Sequence, residues 1–193
     1  MDAAGSAKPK GLPGQSLRSV LSGGDDAQFR KYLACERNCD AARHTFPQRT
    51  IRDARYKLIH SPVRDRDDPA ARYYRTHGHA HWSGCLTDKE LAGASEQTKT
   101  GYARWLKPPE YQLYDLKADP HEWTDLSNDP KHAEAKQRLQ TALKKWQTDT
   151  SDPLTDPDKL SMLMEENDSV FEAGRRSPKN GWHYLKYLAP TEP

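Results

Sequence analysis

Three residues, Asp53-Ala54-Arg55, separate the strand-like run 48–52 from a second run, Tyr56–His60. A parallel return needs a crossover of about a dozen residues or more, so these runs have to form an antiparallel hairpin. Two further segments, Tyr32-Leu33-Ala34-Cys35 and Tyr111–Leu116, have strand character. The pattern therefore predicts four strands, near 32–36, 47–52, 55–60 and 111–116. The best-specified helix follows them. Asp129 is a natural N-cap and Pro130 a natural first residue. Ala135, Leu139, Ala142, Leu143 and Trp146 then fall on one stripe, with lysines and glutamines opposite. Strands followed by a long amphipathic helix, without βαβ alternation, give an α+β fold. Its expected form is a small four-stranded antiparallel sheet packed on the 130–148 helix.

The remaining signals are weaker. Ser16–Leu21 reads as a short amphipathic helix ended by Gly23-Gly24, and Thr87 with Glu90 makes the T-x-x-E capping pattern that starts another. Helical character resumes over Lys99–Leu106 and has to stop before Pro108-Pro109. Residues 61–84 read as a long polar loop. Asp156-Pro157 opens a further helix on which Leu160, Leu163, Met164 and Phe171 face together. Gly174–Lys179 reads as a linker, and Trp182, Leu185 and Leu188 as a short sticky end.

Composition narrows the function classes. Lys plus Arg number 30 against 28 Asp plus Glu, a net charge of +2; nucleic acid would want a concentrated basic face. No apolar run approaches the ~20 residues of a membrane helix, and Met1-Asp2-Ala3-Ala4-Gly5 lacks the basic start and apolar stretch of a signal peptide. Neither a nucleic-acid nor a membrane partner is expected. With 34% hydrophobic residues and a mean hydropathy of −1.06, the core is small and the ends are expected to rest on another surface. Cys35, Cys39 and Cys85 cannot all pair, and a Cys35–Cys39 bridge would close a very tight loop, so they read as thiols.

Several runs carry a family resemblance. Gly11-Leu12-Pro13-Gly14-Gln15-Ser16-Leu17 has the form G-x-P-G-x-S-L. Pro47-Gln48-Arg49 is followed by R-Y-K-L-I at 55–59, and Leu113-Tyr114-Asp115-Leu116 by Asp119-Pro120 and Leu126. Leu143–Trp146 leads into Thr150-Ser151-Asp152-Pro153. Together they resemble the C-terminal region of the sulfatase family, the last run resembling its N-sulfohydrolase (heparan N-sulfatase-like) subgroup.

The resemblance implies that 1–30 is the tail end of a large catalytic domain, 31–153 the small C-terminal subdomain, and 154–193 a helical tail without assignment. It implies a parent hydrolase of sulfate esters or sulfamates. There, a formylglycine made from C/S-x-P-S-R attacks sulfur beside a calcium ion held by Asp and Asn side chains. The sequence holds no such motif, so calcium and formylglycine are expected of the full-length parent and no cofactor of this chain. The implied partners are the catalytic domain and a sulfated glycan. The parent is expected to be exported, whether periplasmic, secreted or lysosomal. The chain itself is expected to be inactive alone, supplying scaffold and part of the substrate rim.

Within the resemblance, Glu36, Arg37, His44 and Arg49 fall where related N-sulfatases rim the substrate cleft. An arginine suits sulfate or carboxylate because its fork binds planar anions bidentately. Asn38 stands where several relatives carry histidine. Cys39-Asp40-Ala41-Ala42-Arg43 is C-x-A-x-R, near the formylglycine signal but without its proline, and does not read as a nucleophile. His77, His79 and His81 with Cys85 offer zinc-type ligands, yet lack a second paired set and read as a solvated loop. Tyr73, Tyr74, Tyr102, Trp105 and Tyr111 lie among Arg72, Arg75 and Arg104. They hold open a rival reading, a noncatalytic module for sulfated glycan or nucleic acid. Rings sharing an exposed face with the arginines would favour it; rings turned into the sheet–helix junction are packing.

Overall fold

The hairpin turn is made by one carboxylate. Asp53 Oδ1 accepts from the backbone amides of Arg55 (2.8 Å) and Tyr56 (2.6 Å), an arrangement that lets three residues reverse the chain. The computed structural model describes residues 18–23, 30–39, 44–76, 84–174 and 177–189. Four strands, β1 (Leu33–Cys39), β2 (Thr45–Arg52), β3 (Tyr56–His60) and β4 (Tyr111–Asp115), form one sheet in the order β1-β2-β3-β4. Every neighbouring pair is antiparallel. Pro47 sits where the β1–β2 register shifts between Arg37 and Cys39, a place where its missing N–H leaves no gap in the ladder.

Register sets the core. Ile51 lies opposite Leu58, and Leu58 opposite Leu113. These three are fully buried together with Leu139 and Leu143. The last two belong to the long helix, which begins with a 3₁₀ turn at Pro130–His132, capped by Asp129, and continues as an α-helix over Ala133–Asp149. Trp146 and Ala142 pack at the margin. The expected α+β architecture, a four-stranded antiparallel sheet under a long helical lid, is the one observed.

In chain order the helices are α1 (Arg18–Leu21), α2 (Pro69–Thr76), α3 (Asp88–Ala92), α4 (Glu96–Leu106), α5 (Ala133–Asp149), α6 (Pro157–Glu172) and α7 (Tyr184–Tyr187). Residues 61–84 are not loop throughout, since they contain α2. Asp68 Oδ1 caps it by accepting from the Ala70 amide (2.9 Å), and Ala70 and Ala71 are buried. The Thr87 capping box forms as expected. α4 starts earlier than Lys99, because Ser95 caps it through the Thr98 amide. On α6, Met164 and Leu160 pack on Phe46 and Val63, but Phe171 is 58% exposed and Val170 is buried instead. Phe46 and Val63 meet the first half of the helix and do not reach its last turn.

Burying an aliphatic side chain of this size contributes ~1.5–3 kcal/mol, and Leu143 is shared by the sheet and its lid. Leu143→Asp should therefore abolish the cooperative unfolding transition in a thermal melt followed by circular dichroism. Phe171→Ser should stay within about 0.5 kcal/mol of the parent. A Leu143→Asp melt that overlays the parent would show that α5 is not the lid.

Candidate functional site

Strand alternation sends successive side chains to opposite faces, and it separates the candidate residues. Glu36 lies opposite Arg49, Arg49 opposite His60, and His60 opposite Tyr111. This transverse polar row crosses all four strands on the face covered by α5, two residues along from the apolar row of Ile51, Leu58 and Leu113. Arg49 is buried at its centre. Its Nε and Nη2 donate to Asp152 Oδ2 (2.7 Å) and Oδ1 (2.8 Å), and its Nη1 donates to Asn38 Oδ1 (2.9 Å) and the Gln48 carbonyl (3.0 Å). Glu36 Oε2 stands 3.6 Å from Nη2.

Asp152 is buried as well. It also accepts from Gln147 Nε2 (3.1 Å) and from the Leu154 amide (3.2 Å) at the 3₁₀ turn Pro153–Thr155. Burial by itself raises the Asp152 carboxyl. The hydrogen bonds and charge of Arg49, with Gln147 and Leu154, outweigh that and hold it below the ordinary carboxylate range.

Arg37 occupies the opposite face. Its Nη1 donates to Asp68 Oδ2 (2.7 Å) and to Gln48 Oε1 (3.3 Å), while Gln48 Nε2 donates to Ser61 Oγ (2.9 Å). Each arginine thus ends on the aspartate of an Asp-Pro helix start, one on each side of the sheet. His44 is buried just before β2, its ring 4.8 Å from that of Tyr73 and 6.4 Å from that of Tyr74. Glu36 and Arg49 are therefore adjacent, whereas Arg37 and His44 lie elsewhere. Outer access also differs, with the Glu36 side chain 55% exposed and that of Arg37 30%.

The exposed Cys39 is not bridged to Cys35. The rest of the C-x-A-x-R run, like the segment at 11–17 and His77, His79 and His81, lies outside the described residues. Among the described residues no group of three or more His, Cys, Asp or Glu is arranged to hold a metal ion. The rings and arginines named for the rival reading are used in separate places. Arg72 pairs with Asp67 and Arg75 with Asp88. Arg104 donates to Tyr114 Oη (3.3 Å) and the Trp123 carbonyl (3.2 Å). Tyr102 and Trp105 meet edge to face at 5.8 Å.

Beside the transverse row lies a groove of about 770 Å³. His60, Tyr111, Arg64 and Glu110 line one wall, and Gln137, Gln140, Thr141 and Lys144 of α5 the other, over the Arg49–Asp152 pair. Sequence reasoning placed these α5 residues only as the polar side of the helix. Their 3–4 spacing was the available signal, but what faces them depends on sheet register. A second hollow of about 480 Å³ lies on the opposite face, between the sheet and α4.

Removing one partner of a buried ion pair costs about 3–5 kcal/mol, so Arg49→Met should destabilise the chain by that order. The folded-state carboxyl of Asp152 lies below its unfolded value. It therefore stabilises the fold above about pH 4 and stops doing so as pH falls through the lowered value. Urea melts across pH 2.5–7 should show this acid-side loss, and Asp152→Asn should flatten it.

No family model matches the chain. Human N-sulphoglucosamine sulphohydrolase is 28% identical over 116 residues, covering 56% of this chain and 21% of that protein. A Bacteroides thetaiotaomicron protein assigned to the sulfatases superposes with a TM-score of 0.52 at 23% identity, covering 80% of this chain and 24% of its own. A 2-O GAG sulfatase does so with the same TM-score and coverages at 22% identity. The chain thus spans about a fifth to a quarter of the length of these relatives. The structural likenesses concern the fold, and the sequence likeness to the human enzyme agrees with them: the chain is similar to a C-terminal region of sulfatase-family proteins.

Proposed function

We propose that this chain works as the C-terminal subdomain of a sulfatase, hydrolysing sulfate esters or sulfamates of a glycan only when joined to a catalytic domain. The observation that carries this reading is the confinement of both likenesses to under a quarter of each relative. In this reading residues 1–30 belong with the catalytic domain, 31–153 form the subdomain and 154–193 are a helical tail without assignment. Formylglycine and calcium, supplied by the catalytic domain, would provide the attacking oxygen and neutralise sulfate charge. In this reading this chain's part is binding and positioning.

Glu36 has an exposed side chain on the outer strand and would contribute to the glycan rim, as would Arg37 from the other face, where Asp68 and Gln48 hold it. Arg49 acts beneath them as a positioning residue, because its donors are engaged by Asp152, Asn38 and the Gln48 carbonyl. His44, packed on Tyr73, would hold the start of β2. Val20 and Leu21 are 43% and 84% exposed and Leu33 48%, which gives the catalytic domain an apolar surface to cover. An exported parent fits a glycan substrate. The noncatalytic-module reading stands second, since the arginines named for it are paired or bonded internally.

The purified chain, supplied with calcium, should hydrolyse neither a chromogenic aryl sulfate nor a sulfamate, with Cys39→Ala as control. Turnover that disappears in Cys39→Ala would overturn the reading. Adding the catalytic domain of a relative should slow hydrogen exchange over 18–39, because a partner that binds only the folded form stabilises it by mass action.

A further inference from the structure

We infer that residues 182–189 are a detachable strap, latched to α6 by the carboxylate of Glu166 and closed over the corner between α5 and α6. Three observations carry it. First, the latch is one side chain. Glu166 accepts from the backbone amides of His183 and Tyr184 (3.0 Å for the latter) and from Tyr187 Oη (3.2 Å). Its side chain is only 11% exposed, and among the described residues every hydrogen bond to that carboxylate comes from the strap. An enclosed charge without such donors is costly, so carboxylate and strap hold each other. Burial and the adjacent Glu166 charge push the Tyr187 phenol up to about 12, which keeps it protonated and donating.

Second, the strap is ordered by its latch. α7 is a single turn, and isolated helices below ~12–15 residues are marginal in water. Its own N-cap residue, His183, makes no capping hydrogen bond through its side chain. Glu166 supplies that cap from a different helix, meeting amide groups that a helix start leaves open. Loss of the latch therefore removes the turn as well, which makes the strap a two-state element. The connection carries its own pivots. Gly174 and Gly181 both have left-handed backbones (φ +63° and +77°), and nothing stands within 4 Å of where a Cβ would lie at either.

Third, the strap ends over a particular place. Leu188 and Ala189 line a hollow of about 390 Å³ whose other walls include Gln147, Asp152, Thr155 and Lys159. Asp152 is the buried partner of Arg49. The strap thus stands across this hollow from the ion pair that joins the sheet to the end of α5, and its release admits water to that corner. The inference goes beyond the sulfatase reading, because no part of it uses catalysis, the rim or a glycan.

The test follows amide hydrogen exchange by NMR in the full chain. Glu166→Gln, which keeps the shape and removes the charge, should speed exchange at His183 and Tyr184 at least about tenfold, the size of a lost hydrogen bond to a charged group. Asp152 and Thr155, whose amides are bonded within the corner, should exchange faster too, and Ile51, Leu58 and Leu113 should not change. Gly181→Val strains the pivot and leaves Glu166 intact, so it should give the same pattern. Glu165→Gln should alter none of these amides, because Glu165 is exposed and accepts from Ser161 on the same helix. Protection at His183 and Tyr184 that survives Glu166→Gln overturns the latch. Fast exchange there with an unchanged corner overturns the strap as a cover. Acceleration that spreads to Ile51 and Leu58 would make the segment a fixed part of the core, and an equal effect of Glu165→Gln would remove the role of Glu166. Each of these outcomes leaves the sulfatase assignment standing.

Discussion

A single ion pair between residues 103 positions apart, Arg49 of β2 and Asp152 beyond the end of α5, fixes how the two layers of this fold meet. The leucine stripe of α5 would be satisfied by several placements over an apolar sheet face, because hydrophobic burial is non-directional. Two buried charges are not so tolerant. Taking them out of water costs several kcal/mol per ion unless their geometry is good and their remaining donors and acceptors are met. Here the Arg49 donors find Asp152, Asn38 and a backbone carbonyl. Asp152 in turn starts the 3₁₀ turn that leads into α6. One contact thereby sets the helix's position, its exit and the next element's origin.

The same device recurs on the other face. Arg37 reaches Asp68, whose carboxylate also caps α2. A sheet of four short strands, in a chain of 34% hydrophobic residues, has a limited apolar surface with which to hold its surroundings. Tying one Asp-Pro corner to each face anchors the flanking helices through polar geometry, while Ile51, Leu58 and Leu113 keep the centre dry. Arg138 on α5 extends the pattern by bonding Asp53 in the hairpin turn, and Arg55 closes the far end on Asp115 (2.6 Å).

This arrangement explains what could be read from the sequence. The hairpin, the capping box and the Asp129-Pro130 helix start are local, set by residues within four positions of each other, and were legible. Asp68-Pro69 carries the same cap signature, but the run of Asp and Arg around it resembles a solvated loop, and the buried Ala70 and Ala71 give little hydrophobic signal. Phe171 shows the opposite limit. Periodicity gives the direction of a side chain but not where its partner layer ends. The Arg49–Asp152 pair, the Arg37–Asp68 pair and the transverse row all require register between distant segments. The family resemblance pointed to Arg49 as glycan-facing, but its role as a structural anchor depends on Asp152, which local pattern could not connect to it.

The transverse row divides the sheet's polar residues by what surrounds them. At the centre, Arg49 is closed off by the Asp152 turn and does structural work. At one end Glu36 opens onto the outer strand, where charged side chains also discourage edge-to-edge pairing with another sheet. At the other end His60 and Tyr111 line the groove, with Lys136 of α5 over the Tyr111 ring at 5.5 Å and glutamines, a threonine and a lysine of α5 along the groove. The apolar row two residues away shows the alternative: the same strands and the same helix close completely when leucines face isoleucine. Side-chain identity on α5 thus shapes one side of the groove, whose remaining lining includes Pro62, Leu154 and Leu160. Replacing that polar stripe with aliphatic residues would extend the core towards Tyr111, and the sheet would gain stability where it now offers a surface.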